Sequence, residues 1–431
     1  FPDRSFKAGS LEAKAVYQYL KAEFIDSKTG KVKITNLHDF TNLNEYKLRW
    51  QLVLDGHVTH EGDMVCDLEP HASKEIQLDY ELAKECKLGC YLDINLYTTK
   101  DTVWAEAGYE TAMIQLEVTD VAINPDFNSA NKEDPSSDKD ILVTESDNEL
   151  VVSCEDKVSY HFHTKLGKLI NIKRGDKALF EDSLQMSAWR APTDNDRRIK
   201  HQWGLFDDNQ SAWNLNRVFH KCYDITWERR EDGSVIVVIK GSLSGISRAP
   251  FAKFDSTYRV SKDGVLSIDN KVKINEKCVW LPRFGFEFTL LNSLENIEYY
   301  GNGPHENYVD LCHHVKVGSY KSTVADEYVP YIMPQEHGNH TKVKYLKVSD
   351  DNGLGLEFYA NNPFECNVSH YTSEELTRAT HEHDLEQSGN TNVRIDYKVS
   401  GIGSNSCGPE LLKKYRLSEK EFDFSFSVRP V

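Results

Sequence analysis

Two short stretches, Tyr299–Tyr308 and Tyr331–His340, concentrate side chains whose types and spacing could do chemistry. In the first, Gly301, Gly303 and Pro304 force a turn, because glycine accepts positive φ and proline fixes its own. His305 and Glu306 follow that turn directly, and in the second stretch Pro334 leads into Gln335, Glu336 and His337. An imidazole beside a carboxylate can act as general acid and base. The rings of Tyr299, Tyr300, Tyr308, Tyr328 and Tyr331 add rigid apolar faces, a combination that suits a sugar-facing surface. The same residues have a plainer use, since His–Glu pairs in loops commonly tie a loop down at a sheet edge. Elsewhere, His381-Glu382-His383 would put two imidazoles on one strand face, but neither it nor His313-His314 has a third metal ligand in view.

The elements that must position these groups are strands. At 431 residues the chain exceeds one ordinary core, so two or more domains are expected. Apolar residues at 39% and charged residues at 28% fit a soluble globular protein. A net charge of −17 argues against nucleic acid or an anionic membrane as partner, because phosphate binding needs clustered Lys and Arg. No apolar run reaches the roughly 18 residues that a membrane span needs. The nine cysteines are scattered, with Cys86 and Cys90 the only close pair, which predicts free thiols in a reducing, cytoplasmic setting and no zinc site.

Ser10–Ala15 has helix-forming composition, and from Lys31 the apolar period becomes two. Val32 and Ile34, then Leu48, Trp50, Leu52 and Leu54, then Leu92, Ile94 and Leu96, then Ile114, Leu116 and Val118 each mark a half-buried strand. Asp55-Gly56 is a strong hairpin signal. Such short strands and turns predict an immunoglobulin-like β-sandwich over residues 1–122, with Trp50 and Trp104 as core fillers. Residues 123–140 are polar, charged and Pro-containing, which reads as a linker. Beyond it Val235–Ile239 predicts a strand buried on both faces, while Val265–Ile274, Phe284–Phe288 and Phe422–Val428 alternate. In this part helix is scarce, predicted at Thr372, with Glu375 completing a capping box, and at Pro409–Tyr415. Residues 141–431 thus read as one very large β-domain.

Five motifs in order carry a resemblance: Trp189-Arg-Ala-Pro-Thr-Asp-Asn-Asp196, Gly301-Asn-Gly-Pro-His-Glu-Asn-Tyr308, Pro334-Gln-Glu-His-Gly-Asn339, Ser369-His-Tyr-Thr-Ser-Glu-Glu-Leu376 and Gly401-Ile-Gly-Ser-Asn-Ser-Cys-Gly-Pro409. Together they resemble the C-terminal region of the large β-galactosidases of glycoside hydrolase family 2, and Pro2-Asp3-Arg4 resembles the exit from that family's catalytic barrel. The resemblance implies an all-β fold, an immunoglobulin-like sandwich followed by a galactose-mutarotase-like β-supersandwich. It also implies partners: a (β/α)₈ barrel and N-terminal domains of the same enzyme, or a large subunit, a β-galactoside substrate, and an oligomer.

Retaining hydrolysis needs two carboxylates about 5 Å apart, which the family carries in its barrel. A barrel takes about 250 residues of alternating strand and helix, and this chain has no such pattern. The expectation is therefore no catalytic residue and no metal here, with magnesium, and sodium as a second ion, held elsewhere in the complete enzyme. What the resemblance gives this chain is a pocket rim, namely Asp194, Asn195, Asp196 and Arg197, where Asp194-Asn195-Asp196 leads into the family's mobile loop at Arg197 to Trp203, and Cys407 where a Trp platform often stands. Cys407 has no π-face, so acceptor-sugar binding is expected to be weaker or rearranged. The sequence departs from the pattern at Arg198, where Gly is usual, and at Leu311 and His340, where Arg is usual; the last two remove bidentate donors. Two other readings compete. One is a freestanding aldose 1-epimerase using His305 and His337 with Glu306 or Glu336; the other is a non-catalytic carbohydrate-binding or oligomerisation module.

Overall fold

The computed structural model describes residues 1, 4–124, 140–154, 157–204 and 211–431. Nearly all of the 123–140 stretch, and Pro2 and Asp3 of the opening motif, lie outside the described residues. The chain forms two compact units: Phe1–Ser129 with Tyr300–Pro304 and Leu311–Tyr320, and Ala130–Tyr299 with His305–Asp310 and Lys321–Val431.

The first unit is built on alternation. Strands Leu20–Asp26, Lys31–Asn36 and Ser73–Gln77 form one antiparallel sheet, and Tyr46–Leu54, His57–Met64, Cys90–Thr98 and Glu110–Glu117 form another. Val32 and Ile34 from one sheet share a core with Leu48, Trp50, Leu52, Leu92, Ile94 and Leu96 from the other. The helix expected near Ser10 spans Ala8–Val16. Trp104 is a correction: it is exposed, edge-on to Tyr109 with ring centroids 5.7 Å apart. It sits in a loop whose backbone is held by Thr102, so its apolar bulk never reaches a strand face.

Asp55 and Gly56 both take left-handed backbone, at φ 52° and 84°, which matches a two-residue hairpin to the strand twist. The Asp55 carboxylate then accepts from the amides of Lys87, Leu88 and Gly89 at 2.6–3.1 Å. A Cβ on Gly56 would lie 2.0 Å from Ser319 Oγ. Gly56→Ala should therefore cost about 1–2 kcal/mol from the left-handed backbone alone, and more from the clash. A urea midpoint unchanged from the parent chain would contradict this.

The His313-His314 doublet is structural. Both imidazole Nδ1 atoms and both backbone amides reach the Glu12 carboxylate, at 2.6–3.1 Å. Burial alone would raise the Glu12 carboxyl; the hydrogen bonds from His314 and His313 reverse this and hold it at about 2.

Among the described residues, the second unit is built from a long succession of antiparallel strands. Val235–Gly245 pairs with Val218–Arg229 and Pro250–Val260, Leu266–Ile274 with Glu421–Pro430, and Arg283–Leu290 with Thr391–Val399. The alternating rings meet inside: Phe284 lies edge-on to Phe422 at 5.3 Å and Phe286 to Phe426 at 5.5 Å. Such aromatic pairs add to the burial that drives the sheets together. Three local expectations need correction. Val235–Ile239 alternates buried and half-buried residues, because Ile236 and Val238 face the partly open side. Pro409–Tyr415 is not a helix but extended chain ending in one 3₁₀ turn, Lys413–Tyr415. His381–His383 is not a strand: Glu382–Asp384 is a 3₁₀ turn, because the Asp384 side chain caps the backbone of His381. The Thr372–Glu375 capping box does open the helix Ser373–Arg378.

Candidate functional site

The second unit brings together loops far apart in sequence. After strand Phe180–Ser187 the chain turns at Thr193, and the Asp196 carboxylate accepts from the Thr193 amide at 3.0 Å and its hydroxyl at 3.2 Å. The same carboxylate takes a two-pronged hydrogen bond from Arg190, Nε at 3.1 Å and Nη2 at 2.8 Å. Arg190 also donates to the carbonyls of Ser400 and Gly401, so one fully buried guanidinium clamps two loops.

Asn195 completes the junction. Its Nδ2 donates to Gly403 O at 2.7 Å, and its Oδ1 accepts from Ser406 N at 2.9 Å. Arg197 Nη1 donates to Ser406 O at 2.8 Å. The Asp194 amide donates to Gln335 Oε1 at 3.1 Å, and the Glu336 amide to Ala191 O at 3.1 Å. Asp194, Asn195, Asp196 and Arg197 thus meet Gln335, Glu336 and the loop that carries Cys407. Asp194, Arg197 and Cys407 are exposed; Asp196 is buried and acts as the tie.

Three contributors were not singled out in the sequence. Asp310 accepts from the amides of Ile402 and Gly403 at 2.9 and 2.8 Å, and a Cβ on Gly401 would fall 2.5 Å from its carboxyl carbon. The signal was Asp310 itself, two residues past Tyr308, paired with Gly-x-Gly. Trp280 and Arg416 line a cavity of about 270 Å³ with Asn195, Gln202, Asn405 and Leu411. Trp203 meets Trp280 edge-on at 4.6 Å. No local pattern announces these two.

The His–Glu loops are mostly internal ties. Glu306 is buried, and its carboxylate accepts from the Gly338 amide at 3.0 Å and from the Tyr331 hydroxyl. His337 is buried with Nδ1 2.9 Å from Gln335 O, whereas His305 is exposed. His340 pairs with Glu327 at 2.7 Å. Burial raises the Glu327 carboxyl, but the imidazole beside it brings it below its ordinary value. Deeper still, burial pushes Glu365 up to about 7, although the Asn339 side chain and the Val399 amide donate to it. Asp396, paired with Arg283 at 2.8 Å, is pushed up to about 6 by burial. With a buried Glu306 whose oxygens are occupied, the two stretches do not form an open acid–base pair.

Antiparallel sheets in the first unit and a long antiparallel strand system in the second, among the described residues, define an all-β, two-unit chain. The chain belongs to the β-galactosidase small chain family: the model described as "Beta galactosidase small chain" matches residues 154–428, and "Beta-galactosidase, domain 4" matches residues 32–119. The β-galactosidase of Actinobacillus pleuropneumoniae is 32% identical over 428 residues, 99% of this chain and 40% of that protein. That of Priestia megaterium is 27% identical over 435 residues, 100% of this chain and 40% of that protein. The chain thus spans about 40% of the length of these curated relatives, and it corresponds to the C-terminal region of a β-galactosidase. Among solved structures, galactose 1-epimerase from Lactobacillus acidophilus aligns with a TM-score of 0.37 and 9% identity, covering 68% of this chain and 98% of that one.

Proposed function

We propose that this chain is the accessory portion of a β-galactosidase that hydrolyses terminal β-D-galactosides with retention. In this reading the catalytic Glu pair and its magnesium belong to a barrel outside the chain, and the Asp194–Arg197 and Gly403–Cys407 loops form the rim of the galactose pocket. The observation that carries it is Asn195, whose side chain joins these two loops across more than 200 residues of sequence. A glycosidase with its nucleophile and acid on a barrel still needs walls that exclude water and orient the leaving sugar. Asn195, Arg190 and Arg197 cross-brace these loops. The chain's partners are then the barrel and N-terminal domains, within one polypeptide or as a large subunit, in an oligomer. The absence of a disulfide among the described residues suits a cytoplasmic setting; no helix among the described residues is long and apolar enough to cross a membrane.

The test is at the exposed rim. Ring stacking contributes on the order of 1 kcal/mol, so Cys407→Trp in the complete enzyme should lower KM for a disaccharide several-fold. Turnover of an aryl galactoside, whose leaving group needs no sugar platform, should change little. An unchanged disaccharide KM would remove Cys407 from the site.

A further inference from the structure

We propose that the turn Thr380–Asp384 is a surface site for one divalent ion of the zinc, cobalt and nickel class. His381, His383 and Asp384 each offer one ligand atom, and these atoms lie within 4.8 Å of one another. The two imidazoles are stacked, with centroids 5.1 Å apart and planes at 15°. His383 Nε2 is 3.6 Å from Asp384 Oδ1, and His381 Nδ1 is 3.5 Å from Oδ2. Zinc–ligand bonds are about 2.0–2.2 Å, so an ion between these atoms needs only small side-chain rotations. Both imidazoles are exposed, and His381 would exchange its 3.0 Å Nδ1 contact with Thr380 Oγ1 for the ion.

The carboxylate is already oriented. Asp384 Oδ2 accepts from Thr380 N at 3.2 Å, Thr380 Oγ1 at 2.9 Å and His381 N at 2.9 Å. Outer hydrogen bonds of this kind fix a ligating carboxylate, and they leave Oδ1 facing His383 Nε2. Two imidazoles and one carboxylate select borderline transition ions over magnesium or calcium, which prefer all-oxygen sites. Three protein donors leave at least one position to water, so the ion should exchange. The other His–Glu cluster is closed by comparison: Glu12 is already saturated by two amides and two imidazoles, and His314 is buried.

Cobalt(II) alone, titrated into the purified chain at neutral pH and followed by its visible absorption, tests this. One ion should bind per chain, with a nitrogen–oxygen spectrum lacking thiolate charge transfer. The H381A/H383A variant should lose about tenfold or more in affinity with an unchanged circular dichroism spectrum, while H313A should bind like the parent. Absence of saturable binding, equal affinity in H381A/H383A, or a thiolate band from one of the nine cysteines would each overturn the assignment.

Discussion

Asp196→Ala is expected to destabilise the chain by on the order of 3–5 kcal/mol, because it strands a buried charge. Arg190 has no exposed surface, and its guanidinium depends on Asp196 for two hydrogen bonds and for its countercharge. Burial works against that charge, and Asp196 more than offsets it. The substitution also removes the cap on Thr193, which contributes about 1 kcal/mol in typical cases. Asp196→Asn keeps the volume and some hydrogen bonding, so its loss should be intermediate. Because Arg190 also holds the Ser400 and Gly401 carbonyls, both loops should loosen together, seen as faster amide exchange at Asn195 and Ser406. Urea unfolding that shows a loss under about 1 kcal/mol would mean that Arg190 finds water or another partner.

The second large effect is on pH. Glu365 has a folded pKa of about 7 against an ordinary 4.5, so the folded chain keeps a proton that the unfolded chain has released. Its contribution is fully present below 4.5 and is lost as pH rises through 7. A gap of about 2.5 units corresponds to on the order of 3 kcal/mol. Asp396, raised from 3.8 to about 6, acts in the same direction, with loss as pH rises through 6. Glu12 is the opposite case: held down at about 2, it contributes above 4.5 and loses that contribution as pH falls through 2. Denaturant unfolding should therefore show stability falling between about pH 5 and 7, and Glu365→Gln should flatten that fall. A variant whose slope matches the parent would place the pH dependence elsewhere.

What was legible in the sequence was whatever repeats locally. Period-two alternation marked Leu92–Leu96 and Phe284–Phe288, the Asp55-Gly56 pair marked its hairpin, and Thr372 with Glu375 marked its helix start. Failures came where a side chain's type outvoted its backbone partners. Trp104 looked like core, but the Thr102 hydroxyl folds its loop outward. His381 and His383 looked like one strand face, but Asp384 three residues past His381 supplies a capping carboxylate. Resemblance supplied Asp194–Arg197 and Cys407 as motifs, yet nothing local says that Asn195 bridges to Gly403 and Ser406. That link, like those of Asp310, Trp280 and Arg416, is made only by tertiary closure. His340 forms a buried pair with Glu327, a link across thirteen residues that no local pattern announces.

The central claim is that this chain shapes a galactosidase pocket without carrying its catalytic carboxylates. The most direct measurement is turnover of a chromogenic β-galactoside by the purified chain, alone and recombined with the portion of the enzyme that bears the barrel. The account predicts no turnover alone, turnover on recombination, and a several-fold rise in KM when the recombined chain carries Asn195→Ala. Turnover by the chain alone, in a host lacking its own β-galactosidase, would contradict it, as would a recombined Asn195→Ala enzyme indistinguishable from the parent.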